Sequence, residues 1–98
     1  MTLEYVQTWM VRKGMEVEHD RVFKEWVLKL AGNPYLRGIR FPSLEGIRER
    51  KRVVVYEFDD VSSWVGFLRS LGDDYLDFID VWIGLIEVDS FSIFFQNY

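Results

Sequence analysis

Residues 3–12 alternate in character. Val6, Thr8 and Met10 fall on one side of an extended chain, and Tyr5, Gln7, Trp9 and Val11 fall on the other. Period two in β-branched and aromatic residues predicts a strand, and Lys13-Gly14 ends it. Over residues 16–31 the period becomes helical, with Phe23, Trp26, Val27 and Leu30 forming one apolar stripe. Glu16, Glu18 and Asp20 near its start and Lys29 near its end suit the helix dipole. Gly32 and then Asn33-Pro34 predict its stop. Residues 36–41 read as a short strand, and Pro42, Ser43 and Gly46 as a loop. Residues 51–59 hold Arg-Val-Val-Val-Tyr-Glu-Phe, a strand composition. Asp59-Asp60 offers an N-cap to a second helix over residues 61–71, where Trp64, Phe67, Leu68 and Leu71 repeat the stripe. After Gly72, Asp73-Asp74 predicts the cap of a short turn containing Tyr75, Leu76, Phe78 and Ile79. Residues 81–88 are expected as the fourth strand. Asp89-Ser90 then breaks the pattern, and residues 91–95 are expected as a fifth strand or an arm that crosses to a partner.

The order β-α-β-β-α-β plus a tail predicts an α+β, ferredoxin-like domain. Right-handed crossovers put both helices on one face of a four-stranded antiparallel sheet. A charge is costly to bury under helices, so Glu57 is expected on the open face with Val53 and Val55, leaving Val54, Tyr56 and Phe58 against the helices. In the first strand, Val6, Thr8 and Met10 are expected under the helices and Tyr5, Gln7, Trp9 and Val11 on the open face. The open face then adds Leu36, Gly38 and Arg40 from the second strand and Ile83, Leu85 and Glu87 from the fourth. So apolar a face is not left in water, and a homodimer closing a barrel across it is expected.

Composition narrows the functional classes. Ninety-eight residues suggest a single domain over residues 1–98. Eight Phe, five Tyr and four Trp supply more apolar surface than a small core needs. With no cysteine, disulfides, thiolate metal sites and a cysteine nucleophile are excluded, and a cytoplasmic protein is expected. No signal peptide is expected, and no apolar run approaches the roughly 20 residues of a membrane span. The net charge is −4, with residues 1–49 at +1 and residues 50–98 at −5. An acidic second half repels a phosphate backbone, so no nucleic-acid partner is expected. The basic run Arg48, Arg50, Lys51 and Arg52 reads as solvated hairpin flanks, with anion binding as its sharper alternative.

Val-Arg-Lys-Gly at 11–14, followed by a helix with Phe23 and Trp26, resembles the strand, Lys-Pro-Gly and Phe-x-x-Trp opening of the dimeric α+β barrel superfamily. Tyr56-Glu57-Phe58-Asp59-Asp60 before a helix with Trp64 is similar to that superfamily's third strand and second helix. The group includes antibiotic-biosynthesis monooxygenases, NIPSNAP-like proteins and stress-responsive barrel proteins. The resemblance implies a homodimer with a cavity. Its cofactor-free monooxygenases and haem-degrading members use a strand-1 Asn, a Trp and, in the haem branch, a His on the second helix. Here Gln7 stands at the strand-1 position and no His lies near the second helix. That departure counts against haem and leaves monooxygenase activity open.

The chemistry-bearing residues are few. His19, the sole histidine, suits a general base; the plainer reading is a solvated residue on an acidic helix end. Arg40 and Glu57 are expected on one face, to orient a polar ligand or to form an ion pair inside the barrel. Glu57 and Glu87 are an alternative carboxylate pair with one raised pKa. Tyr5, Trp9 and Trp82 suit the wall of an aromatic pocket or the dimer core. Ligand-binding candidates are therefore Tyr5, Gln7, Trp9, Arg40, Glu57 and Glu87; the catalytic candidates are His19 and Glu57. No metal site is expected, because His19 lacks other His or Cys and only carboxylates could complete one. No cofactor is expected, because phosphate-loop and dinucleotide signatures are missing, as is a nucleophile–base signature. Two functions fit: a small-molecule-binding dimeric barrel, sharpened to a cofactor-independent enzyme on an apolar or aromatic compound, and a non-enzymatic homo-oligomeric module whose barrel interior is packed solid.

Overall fold

The computed structural model of the chain describes residues 2–41 and 50–97. The predicted loop at Pro42, Ser43 and Gly46, and Arg48 of the basic run, lie outside the described residues. The elements are β1 (Leu3–Val11), α1 (Glu16–Leu30), β2 (Gly38–Arg40), β3 (Lys51–Phe58), α2 (Val61–Ser70), α3 (Asp73–Trp82) and β4 (Ile86–Asn97). The strands form one antiparallel sheet in the order β2-β3-β1-β4. This is the ferredoxin-like α+β arrangement, with the helices packed over one face of the sheet.

Local chemistry sets the boundaries. Gly14 takes φ +87°, a left-handed conformation that glycine adopts without Cβ strain, and so turns β1 into α1. Asp60 caps α2, its Oδ1 accepting from the Ser63 N–H at 2.7 Å. Gly72 separates α2 from α3.

The second half of the chain departs from the expected elements. Residues 73–82 are a ten-residue helix, not a short turn running into a strand. Tyr75, Phe78, Ile79 and Trp82 form an i, i+3, i+4, i+7 stripe that turns toward α1 and the core, which outweighs the β-branched residues beside it. The fourth strand starts only at Ile86 and absorbs the tail, so the described residues hold no fifth strand and no separate arm. The Asp89-Ser90 break is a bulge: Thr8 pairs with Ser92, but Met10 pairs with Glu87. Ser90 closes it, its Oγ accepting from the Met10 N–H at 2.8 Å and donating to the Glu87 carbonyl.

The faces of β3 are as expected, with Val54, Tyr56 and Phe58 in the helix-covered core. Those of β1 are reversed. Leu3, Tyr5, Trp9 and Val11 pack into that core, and Trp9 is 1% exposed. Glu4 shares a face with Val6, Thr8 and Met10, so the cost of burying a charge sends these residues away from the helices. Leu36 also packs on the core, just before β2. Ile83 caps α3 and Leu85 is buried in the turn before β4, so neither joins the open face.

The register shows what that face carries. Gln96, Glu4 and Glu57 make one cross-strand row. Phe94, Val6, Val55 and Arg40 make the next, and Ser92, Thr8 and Val53 a third.

Candidate functional site

Between the sheet and the helices lies a cavity of about 60 Å³. β1 contributes Tyr5 and Gln7, β3 contributes Tyr56, and β4 contributes Phe91. Phe23 and Trp26 enter from α1 and Phe67 from α2, while α3 supplies Tyr75, Phe78, Ile79 and Trp82. Among the described residues no lining residue is charged. The polar groups are phenols, an amide and indoles. The Gln7 amide donates to the Tyr5 hydroxyl at 3.4 Å. Burial pushes the Tyr56 phenol above its ordinary range, against a hydrogen bond from Trp26, so it remains a donor at any working pH. Burial raises Tyr75 as well. Trp64 packs on Tyr5 and Phe95, with ring centroids 5.9 and 4.9 Å away, and its buried indole N–H has no partner among the described residues.

Trp82, at one end of the cavity, is anchored by His19, which itself lies behind the lining and borders a groove outside α1. The His19 side chain is 1% exposed, so it is not the solvated helix-end residue expected from its acidic neighbours. Its Nε2 accepts the Trp9 indole N–H at 2.9 Å and the Trp82 indole N–H at 3.1 Å. Indoles only donate, so Nε2 carries no proton and Nδ1–H donates to Asp20 at 3.0 Å. Arg52 grips Asp20 in turn, at 3.0 and 3.1 Å. Burial holds the His19 pKa below its ordinary 6.5, against the opposing bond to Asp20. Burial also works against Asp20 ionising, but the hydrogen bonds from Arg52 and His19 outweigh it and hold this carboxyl below its ordinary value. The imidazole ring stacks on Phe23, with 8° between planes and 5.8 Å between centroids.

The other candidates divide between the two faces. Tyr5 and Gln7 line the cavity, and Trp9 lies behind Trp82, 5.2 Å away edge-on. Arg40 and Glu57 share the open face as expected, 3.7 Å apart. Sequence reasoning missed Glu4, which is 3% exposed there and takes hydrogen bonds from Arg40 and Gln96. Glu87 does not meet Glu57. It pairs with Arg50 at 3.2 Å, opposite Met10, while Glu57 stands opposite Glu4, roughly 20 Å along the sheet at the usual strand rise. A broader groove of about 280 Å³ lies outside α1, between Val27, Leu28, Phe41 and Arg52. Its polar lining among the described residues is His19, Asp20, Lys24 and Arg52, of which His19, Asp20 and Arg52 are already bonded to one another. Among the described residues no group of His, Asp and Glu is placed to hold a metal ion, and no helix is long and apolar enough to cross a membrane.

No protein-family model and no curated protein matches the sequence. Solved structures do. SnoaB from Streptomyces nogalater, a cofactor-independent oxygenase, aligns over 99% of this chain and 92% of its own, with a TM-score of 0.79 at 13% identity. A conserved protein from Methanosarcina mazei Go1 aligns over the same shares, with a TM-score of 0.80 at 12% identity. An antibiotic biosynthesis monooxygenase aligns over 98% of this chain and 97% of its own, with a TM-score of 0.79 at 8% identity. At these identities the likeness is one of fold. The chain therefore has the fold of the antibiotic biosynthesis monooxygenase structures, the subunit architecture of the dimeric α+β barrel.

Proposed function

We propose that this chain is a homodimeric barrel protein that binds a neutral aromatic compound in the cavity between its sheet and helices, and oxygenates it without a cofactor. The observation that carries the reading is the lining: aromatic rings with phenol and amide groups among them, and no charge. Such a wall stacks on a planar ring and offers hydrogen bonds to a ring oxygen. Among the described residues no carboxylate lines the cavity and His19 Nε2 is occupied by two indoles, so none of them serves as a general base. The substrate must itself supply the electrons, as an electron-rich neutral phenol does: one atom of O2 enters the ring, the other leaves as water with two hydrogens from the substrate, and the phenol ends as a quinone. The protein then binds it, orients it, excludes water and donates phenol hydrogen bonds to the oxygen on which charge develops. The likeness in fold to the cofactor-independent oxygenase SnoaB supports this reaction class.

Dimerisation follows from the open face. Phe94 is 48% exposed there, while Val6 and Val55 in its row are already buried within the single chain, so Phe94 is the apolar group of that row that a second copy would cover. Phe94→Lys is expected to give monomers by light scattering where the parent chain gives dimers. A lysine variant that remains dimeric would place the interface elsewhere.

A second reading is favoured by the cavity's size. About 60 Å³ holds a water or two, whereas ligand pockets run from about 300 Å³. A non-enzymatic homo-oligomeric module would keep it that small. Titration with 1-naphthol separates the two readings. Saturable quenching of tryptophan emission, weakened at least about tenfold in Gln7→Leu, supports the first. No saturable change up to the solubility limit supports the second.

A further inference from the structure

If the cavity admits a ligand, as the reading above requires, some wall must move, and α3 is held by the least burial: like α2 it has one buried residue, but it has two half-buried ones against four in α2. Trp82 is its one buried residue among the described ones. Tyr75 and Phe78 rest their rings on Trp26 but stay partly exposed. Glycines bound the helix, Gly72 at its N-cap and Gly84 in the turn beyond it. The polar tie joining the end of α3 to both the sheet and α1 is the bond from Trp82 to His19, on the nitrogen that also holds Trp9 of β1.

We propose that His19 is the positioning residue of this cavity: its bare Nε2 gathers the indoles of Trp9 and Trp82, fixes the α3 wall in its closed place, and releases that wall when the nitrogen is protonated.

The geometry makes the device sensitive to a single proton. An imidazole Nε2 has one lone pair, and here two N–H groups share it from 2.9 and 3.1 Å. A proton on that atom would put three N–H groups at one point, with no acceptor among them. The two donors would have to part, and Trp82 is carried by the less buried element. Among the described residues the charged groups around the imidazole are Asp20 of its own helix and Arg52 of β3, with Lys24 on the same groove. Asp20 accepts from Nδ1 in either protonation state, while Arg52 opposes a positive ring. From β1 and α3 only indoles meet it.

The test compares the parent chain with His19→Gln, which keeps a carbonyl acceptor for the indoles but does not titrate. NMR of the indole N–H groups is followed from pH 7.5 to 4, together with 1-naphthol affinity. In the parent chain the Trp82 N–H is expected to lose its exchange protection as His19 takes up its proton, with naphthol affinity shifting over the same range by about tenfold. His19→Gln is expected to keep both neutral-pH values and lose the pH response. A Trp82 N–H that stays protected after His19 has titrated would overturn the proposal. So would the same pH response in His19→Gln. Should 1-naphthol fail to bind the parent chain at any pH, the functional reading falls, and indole exchange alone still decides the role of His19.

Discussion

His19→Leu is expected to destabilise the protein by about 2–5 kcal/mol in urea unfolding. The variant strands the indole N–H groups of Trp9 and Trp82 inside the core, each at a cost of about 1–3 kcal/mol, and the gain from a buried leucine offsets only part of this. A domain of this size is stable by about 5–15 kcal/mol, so the loss is a large share of the total. His19→Gln, which keeps an acceptor, is expected to lose clearly less. The pH dependence has a definite sign. The folded pKa of His19 lies below its ordinary 6.5 because burial disfavours the charged ring. Above that value His19 is neutral in both states and its contribution is complete. As pH falls below it, the unfolded chain takes up a proton that the folded chain refuses, and stability drops by up to about 1.4 kcal/mol per pH unit until the folded value is reached. The paired carboxylates lose stability at lower pH still, so the difference between the parent chain and His19→Gln isolates the imidazole. Identical pH profiles for the two would contradict the assignment.

Arg40→Met is expected to cost about 2–3 kcal/mol. Glu4 is 3% exposed, and Arg40 and Gln96 are its two hydrogen-bond donors among the described residues. Breaking a buried pair from one side leaves a desolvated charge, worth about 3–5 kcal/mol when water is excluded. The 43% exposure of Arg40 lets solvent relieve some of that. The double variant Glu4→Gln with Arg40→Met is expected to recover much of the loss, because the stranded charge is gone. Additive losses in urea unfolding would show that the pair is not coupled.

Much of the fold was legible because period and punctuation agree in the first half of the chain. The stripes of α1 and α2, the cap at Asp60 and the faces of β3 follow from local sequence alone. The faces of β1 turn on Glu4, which precedes the alternation over residues 5–11; counted with Val6, Thr8 and Met10, it turns that whole side from the helices. α3 was hidden by Val81 and Ile83, although Trp82 completes its stripe. The bulge at Asp89-Ser90 depends on a hydrogen bond from Met10, which local pattern does not reveal. His19 was misplaced for a similar reason. Its acidic neighbours suggest solvent, yet residues 19, 23, 26 and 30 form one helical stripe, and that spacing already places it with Phe23 and Trp26 in the core. What no pattern could supply is Trp82, which meets it from 63 residues away.

The claim that the sheet-and-helix cavity is the binding site is tested most directly by a crystal structure of the protein with 1-naphthol. The account predicts the naphthol ring between Tyr56 and a displaced α3, its oxygen within hydrogen-bond distance of Gln7 or a tyrosine hydroxyl, in a cavity enlarged several-fold from about 60 Å³. A ring seated on the open sheet face or in the groove outside α1, with the cavity unchanged, would contradict it.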